Sequence, residues 1–206
     1  MPRGARFVET EDLTMCCRYY FGEDEDSGRG ELILRAMARS YAGQYKTGEI
    51  FPGDAAPAMI RREERIVAVP AVFGFPGTHD SRFLLNARAE TAARKRTFSP
   101  LLADQRILLP ATGFFEWGRD PKKTKYLFTL GRGKMLYLCG LYRIVDGQRR
   151  FVILTRAANE SMAETHDRMP VIVGDDEVRP YLTDARAAME ILATAAPVLY
   201  RNAAAE

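Results

Sequence analysis

The sequence has few of the residues that usually hold small or metal-bound domains together. Its 206 residues include three cysteines, at positions 16, 17 and 139, and two histidines, at positions 79 and 166. Three cysteines without a C-x-x-C pair give neither a disulfide framework nor the usual spacing of zinc ligands. The adjacent cysteines 16 and 17 could join only through a strained ring. We therefore expect a reducing, cytoplasmic location and no metal or other cofactor.

Long apolar segments are also missing. No run of about 18 apolar residues is present, so no membrane-spanning helix and no membrane partner are expected. The first residues, "MPRGARFVETEDLT", lack the apolar centre of a signal peptide. We interpret residues 1–14 as a polar lead before the domain, either a tail, a cloning remnant, a start assigned too early or a segment that is processed.

The composition is that of one ordinary globular domain. Hydrophobic residues make up 47% of the chain, enough for a sizeable core, and the formal charge of +3 does not by itself predict a nucleic-acid partner. Apolar runs typical of strands follow one another between short helical patterns. They predict an α+β fold in a single domain, residues 15–206, with a mixed and largely antiparallel sheet or barrel-like core and flanking helices. The expected strands include 65–75 (interrupted at Pro70), 105–117 with a turn at Gly113, 125–130, 134–145, 149–155 and 168–173, and the expected helices include 31–41, 86–95, 157–166 and 184–194.

Two neighbouring runs in this pattern indicate a hairpin. Residues 125–130 and 134–145 are both apolar and are separated by a glycine-containing turn. A second turn, Asp146-Gly147, separates the latter run from 149–155. Asp184 stands before a helical run, so we expect it to be an N-cap.

Four side chains could perform chemistry, and each has a structural alternative. Cys16, in "MCCRYY", is either a nucleophile or a small buried hydrophobe. Asn86, which opens "NARAET", is either a site residue or a helix cap. His166, in "THDRMP", is either a proton shuttle or a surface histidine.

The fourth side chain is Glu116, in "GFFEW". If the aromatic neighbours desolvate its carboxylate, its pKa should rise, which suits a general acid or base. Strand alternation would instead place Glu116 in water, on the face opposite Phe115 and Trp117.

Seven short motifs occur in the order typical of one family. They are "MCCRYY", "PGDAAPAM", "NARAET", "TGFFEW", "CGLY", "FVILT" and "HDRMPVIV", and they cover residues 15 to about 185. With these motifs the chain resembles the SRAP family, the SOS-response-associated peptidase domain of abasic-site processing proteins. The resemblance implies covalent bonding to abasic sites in single-stranded DNA by the cysteine that follows the initiator methionine.

The resemblance also implies roles for individual residues. Cys16, Asn86, Glu116 and His166 match catalytic positions of the family. Arg18, Arg88 and Arg168 match positions that hold DNA phosphates, and Thr155 matches a position near the site. We expect the partner to be single-stranded DNA with abasic sites, and we expect a monomer that associates with the nucleoid when bound to DNA.

The chain departs from the family pattern at two places. Cys17 replaces a glycine, which reduces backbone freedom after Cys16. "FGFP", residues 73–76, replaces a tryptophan-containing run near the DNA, so base stacking there would fall to Phe73 and Phe75. Trp117 could stack on a base or pack in the core.

Three other functions are compatible with the same residues. A cysteine peptidase would cleave its own N-terminus or other peptides with Cys16, His166 and Glu116. A single-strand-binding module would keep its activity without Cys16. Neighbouring thiols at Cys16 and Cys17 could form a metal or redox site, although no further ligand stands at a suitable spacing.

Overall fold

The strands of the described chain form two large β-sheets and one two-stranded sheet. The computed structural model describes residues 17–22, 28–77 and 82–204. The strands are β1 (Arg18–Phe21), β2 (Gly48–Ile50), β3 (Ala55–Arg62), β4 (Arg65–Phe73), β5 (Phe75–Pro76), β6 (Phe83–Leu84), β7 (Asn86–Arg88), β8 (Arg106–Ala111), β9 (Gly113–Trp117), β10 (Lys125–Thr129), β11 (Leu136–Val145), β12 (Gln148–Ala157), β13 (Arg168–Pro170), β14 (Ile172–Val173) and β15 (Tyr200–Ala203). The helices are α1 (Gly28–Tyr41), α2 (Ala89–Ala92), α3 (Ser99–Asp104), α4 (Glu160–Ala163), α5 (Val178–Thr183) and α6 (Ala185–Ala193), with a 3-10 turn at Asp175–Glu177.

The smaller of the two sheets is antiparallel throughout and has the strand order β15-β10-β9-β1-β2. Its centre is β9, which pairs with β1 on one side and with β10 on the other. Gly113, the first residue of β9, lies so close to β10 that an added Cβ would stand 2.8 Å from the carbonyl oxygen of Phe128. A side chain at this position would push the two strands apart.

The larger sheet closes on itself. Its strands follow the order β13-β12-β4-β3-β8-β11-β14, and β11 pairs with β12 as well. Five strands, β12, β4, β3, β8 and β11, therefore form a closed ring. Most pairings are antiparallel, whereas β12 runs parallel to both β4 and β7. The prediction of an α+β fold with a largely antiparallel, barrel-like core is confirmed.

Several local predictions are also confirmed, and their causes are visible. Helix α1 includes the predicted helix 31–41 and buries Ile33 and Met37 on one face. The side chain of Asp184 caps α6 by accepting hydrogen bonds from the N–H groups of Arg186 and Ala187. Asp146 and Gly147 both have positive φ angles, which suits the tight turn between β11 and β12.

The predicted hairpin between 125–130 and 134–145 is wrong. Strand β10 pairs with β9 and β15 in the smaller sheet, whereas β11 pairs with β8, β12 and β14 in the larger one. Both runs are apolar because both sheets contribute to the core, so their composition does not show which strands pair. The partner β15, residues 200–203, was not predicted from the sequence.

Two boundaries were also predicted incorrectly. Strand β4 continues through Pro70 because its register partner is Pro57, and a pair of residues without N–H groups requires no hydrogen bond between them. The predicted helix 86–95 is instead a strand at Asn86–Arg88 followed by one helical turn at Ala89–Ala92. Within the described residues, no helix has the length and apolarity that crossing a membrane requires.

Candidate active site

Cys16 lies outside the described residues, and so does the lead 1–14. The description begins at Cys17, whose side chain is partly buried and packs against the core. Burial, and next the negative charge of Glu116, raise the pKa of the Cys17 thiol. Cys17 is therefore a poor source of thiolate at neutral pH. The antiparallel pairing of Arg18 with Phe115 brings Glu116 close to the start of β1.

Glu116 is enclosed by protein although it is a charged residue. It stands on the central strand β9, opposite Tyr126 of β10, and is 5% exposed. The alternative prediction, that strand alternation places Glu116 in water, is wrong. Both faces of β9 are covered, because Phe114 and Phe115 are buried as well. A buried carboxylate of this kind is chemically suited to act as a general acid or base.

Arg18 and Lys125 share a second carboxylate, that of Glu49, beside β1 and β9. The Arg18 guanidinium lies between two rings, 4.6 Å from the centroid of Phe51 and 4.9 Å from that of Trp117. Glu49 pairs with both cations, at 3.5 Å from Arg18 and 3.0 Å from Lys125. Trp117 packs against Arg18 and is only partly buried.

Asn86 and Arg88 lie on a short strand beside β12. In the parallel register Asn86 stands opposite Ile153, and Arg88 stands opposite Thr155. Asn86 is not a helix cap, because α2 begins three residues later and its N-cap position is Arg88. The Arg88 residue is exposed, which leaves it accessible to a ligand.

Arg168 is held by protein groups. Its guanidinium donates to both carboxylate oxygens of Glu90, at 2.6 and 2.9 Å, and to the carbonyl oxygen of Thr155 at 2.8 Å. The hydrogen bond from Arg168 is the main reason that the pKa of Glu90 is lowered to about 2. A DNA phosphate could take this guanidinium only by replacing Glu90, so the phosphate contact of Arg168 stays a prediction.

His166 lies in the turn between α4 and β13. Its Nδ1 accepts a hydrogen bond from the N–H of Arg168 at 2.9 Å, which leaves the ring proton of the neutral form on Nε2. Burial lowers the pKa of His166, so the neutral form predominates at pH 7. The neighbouring Asp167 forms an ion pair with Arg119, two residues after the end of β9. This ion pair connects the His166 turn to the strand that carries Glu116.

The predicted stacking residues are not available to DNA. Phe73 and Phe75 are both completely buried. Phe73 stacks on Phe151 with a centroid distance of 5.0 Å, and the guanidinium of Arg143 covers Phe75. The prediction that these two rings stack on bases is wrong, because Phe73, at the end of β4, and Phe75, in β5, are both directed into the core.

Several partners of the predicted residues were not found by sequence reasoning. They are Glu49, Phe51, Glu90, Arg119 and Lys125. Glu90 does lie within the "NARAET" motif, so the motif itself was a signal. Among the described residues, no group of three His, Cys, Asp or Glu side chains is placed to hold a metal ion.

Comparison with known proteins identifies relatives of the chain. It is 30% identical over 139 residues to the abasic site processing protein YedK of Escherichia coli. The aligned region covers 65% of this chain and 63% of that protein. It is 37% identical over 106 residues to the abasic site processing protein YoqW of Bacillus subtilis, covering 48% and 47% respectively. These matches span less than two thirds of the length of either relative.

Solved structures share the fold. A protein from Bordetella bronchiseptica superposes with a TM-score of 0.70 at 21% identity, covering 93% of this chain and all of the other. A phage-related protein from the same organism gives a TM-score of 0.69 at 23% identity, covering 93% and 95%. The sequence model of the SOS response associated peptidase (SRAP) family matches residues 15–204. The chain therefore belongs to the SRAP family.

Proposed function

We propose that this protein recognises abasic sites in single-stranded DNA and bonds to them covalently through Cys16, once Cys16 is the first residue. The proposal rests above all on the family match, which begins at Met15, directly before Cys16. The curated relatives are named as abasic site processing proteins. The carboxylate of Glu116 is buried and raises the pKa of Cys17, the residue after Cys16. Its position supports a role in proton transfer at Cys16.

The chemistry requires a free amine and a free thiol on the same residue. An abasic sugar exists in equilibrium with a ring-opened aldehyde, and an N-terminal amine, with a pKa of roughly 8, attacks it as the neutral base. The amine and the aldehyde form an imine and release water. The thiol then adds to the imine carbon, its proton passes to the nitrogen, and a five-membered thiazolidine closes. An internal cysteine cannot react in this way because its nitrogen belongs to an amide.

The described side chains suit the accompanying proton transfers. Glu116 would take protons from the amine and return them to the oxygen that leaves as water. His166, neutral and protonated on Nε2, would donate to the ring oxygen of the sugar as it opens. Asn86 would hold Cys16 by hydrogen bonds. The cations Arg18 and Arg88 would bind phosphates, which makes the initial binding dependent on salt.

A second candidate activity is cleavage of the protein's own chain before Cys16. The observation that favours it is the match to the SOS response associated peptidase family, which begins at Met15, after residues 1–14. Hydrolysis of the Met15–Cys16 amide would release residues 1–15 and generate the amine that the first activity needs. The same Glu116 would act as the base for the attacking thiol or water.

The test compares two chains, one full length and one beginning at Met15 that loses its methionine on expression. Each is mixed with single-stranded DNA carrying one abasic site and is run on a denaturing gel. We expect a shifted band for the shorter chain, no band for its Cys16→Ala variant and an unchanged band for Cys17→Ala. DNA binding without a shifted band would reject the covalent function. Crosslinking by the full-length chain, with loss of residues 1–15, would support self-cleavage.

A further inference from the structure

Two arginines face each other on the hairpin that β11 and β12 form. Arg143 and Arg150 are register partners, so their side chains project from the same face of the hairpin. Like charges directly opposite one another on a β-ladder repel, and the close approach of Arg143 contributes, after burial, to the lowered pKa of Arg150. An arrangement that concentrates charge in this way has a cost for the fold.

Aromatic rings of the β5–β6 hairpin hold these guanidinium groups in place. Arg143 lies 4.3 Å from the ring centroid of Phe75, and Arg150 lies 5.4 Å from that of Phe83. A third arginine, Arg82, lies 5.2 Å from the centroid of the same Phe83 ring. The Nε of Arg150 also donates to the carbonyl oxygen of Gly74 at 2.7 Å. These contacts fix the planar groups and leave much of their hydrogen-bonding capacity unused.

Among the described residues, no acid forms a salt bridge with the arginines of the cluster. The three arginines of this cluster are Arg82, Arg143 and Arg150. Burial and Arg143 lower the pKa of Arg150, whereas the carboxylate of Asp146, at the turn between β11 and β12, acts to raise it. Arginines at other surface positions do pair with acids: Arg35 with Glu31. An anion that approaches the hairpin would therefore find several donors that are already oriented.

The cluster is connected to the candidate active site through β12, on which Arg150 and Ile153 point to opposite faces, and through the segment from Phe83 to Asn86. Arg150 precedes Ile153, the register partner of Asn86, by three residues on β12, a distance of about 10 Å. Phe83 precedes Asn86 by three residues on the neighbouring segment. Grooves that bind single strands extend over about 4–16 nucleotides, so a strand held at Asn86 and Arg88 has ample length to reach this hairpin.

We propose that Arg143, Arg150 and Arg82 form a second phosphate-binding surface, which holds the backbone of the nucleic-acid strand beyond the abasic nucleotide. This inference rests on the proposed function for the identity of the partner. Guanidinium forks match phosphate oxygens, and rings beneath them keep the forks oriented. Phosphate contacts carry no sequence information, so the surface would contribute affinity and salt dependence without sequence preference.

The test measures noncovalent binding of the full-length protein to an undamaged, fluorescently labelled single-stranded oligonucleotide at several salt concentrations. Each phosphate contact contributes about 0.7 to the slope of log affinity against log salt for single strands. The double variant Arg143→Gln/Arg150→Gln should lower that slope by about 1.4 and weaken binding roughly tenfold at about 0.1 M salt. The variant Arg143→Lys/Arg150→Lys, which keeps both charges, should retain most of the slope.

The matched control is Arg35→Gln/Arg186→Gln, which removes the same net charge from two exposed helical positions that already pair with acids. A slope that falls equally in both glutamine variants would overturn the proposal, because the effect would then be one of net charge. Circular dichroism verifies that each variant is folded. Undamaged DNA is bound without chemistry at Cys16, so failure of the crosslink and failure of this surface give separate results.

Discussion

The guanidinium of Arg168 and the carboxylate of Glu90 meet side by side, with two hydrogen bonds of 2.6 and 2.9 Å between residues 78 positions apart in the sequence. This pair joins the short α2 segment to β13, and a third hydrogen bond from Arg168 reaches the carbonyl oxygen of Thr155 on β12. Three separate segments of the candidate site are thereby held together by one side chain.

Replacing the Glu90 carboxylate by an amide should destabilise the protein at neutral pH and have less effect at acidic pH. The pKa of Glu90 is about 2 in the fold against an ordinary value of 4.5, so the stabilisation is present above pH 4.5 and is lost as the pH falls towards 2. Because the Glu90 side chain is 47% exposed, solvent screens the pair, and we expect Glu90→Gln to lower the free energy of unfolding by about 1 kcal/mol at pH 7. Urea unfolding at several pH values measures the difference.

The control for this prediction is Glu190→Gln, which removes an exposed pair with Arg186 on α6. Pairs of this kind contribute roughly 0.3–0.5 kcal/mol. A Glu90→Gln effect that persists unchanged at pH 3 would show that packing, and not the charge of Glu90, is what the substitution removes.

The buried Arg106 should contribute more to the free energy of unfolding than Glu90 does. It is 3% exposed, and its guanidinium donates to carbonyl oxygens at the ends of two helices, those of Leu102 and Ala103 in α3 and of Tyr181 and Leu182 in α5. Helix C-termini leave such carbonyls without partners in the helix, and each one buried without a hydrogen bond costs about 1–3 kcal/mol. We expect Arg106→Met to lower the free energy of unfolding by about 3 kcal/mol or more.

Arg61→Met serves as the comparison, because Arg61 forms a single surface pair with Asp104 on the same helix α3. Its effect should stay below about 1 kcal/mol. Equal effects of the two substitutions in urea unfolding would contradict the account of Arg106 as a cap for both helices.

His166 should titrate below the ordinary histidine range. Burial lowers its pKa, so its contribution to stability is complete above about pH 6.5 and is lost as the pH falls through the folded-state value. The chain has only two histidines, so an NMR titration of the ring protons, with His79→Gln to assign them, gives the midpoint directly. A midpoint at or above 6.5 for His166 would contradict the burial that the structure shows.

Cys17 should react slowly with alkylating reagents. Its raised pKa keeps the thiol protonated at pH 8, and Cys139 is completely buried. In a folded Cys16→Ala protein, both remaining cysteines should therefore be labelled by iodoacetamide more than about tenfold more slowly than a free cysteine peptide. Labelling at the rate of the peptide would show that Cys17 is a reactive thiol and would weaken the assignment of the chemistry to Cys16 alone.

The sequence predicts those features that depend on neighbours along the chain. Helix α1, the Asp184 cap and the Asp146-Gly147 turn all depend on local sequence, and each is found where it was expected. The α+β class also follows from the order of strands and helices. The chemistry-bearing residues could be named from motifs because each motif is short and contiguous.

Features that depend on distant partners could not be predicted in the same way. Strand β10 pairs with β9, which ends 8 residues before it, and with β15, about 75 residues after it. It does not pair with the adjacent run at 134–145. Because both sheets contain apolar strands, composition does not show which strands pair. The burial of Phe73 and Phe75 depends on Phe151 and Arg143, which no local pattern connects to them. The partnership of Arg168 with Glu90 likewise requires the fold to bring α2 beside β13.

The measurement that tests the central claim most directly is the intact mass of the adduct between the chain beginning at Cys16 and a single-stranded oligonucleotide with one abasic site. Formation of a thiazolidine predicts the sum of the two masses less one water, with the modification mapped to Cys16 after digestion. Glu116→Gln should form the same adduct more slowly, because a carboxylate that moves protons affects the rate and not the product. An adduct mapped to a lysine, or no adduct from a folded protein that binds the oligonucleotide, would contradict the proposal.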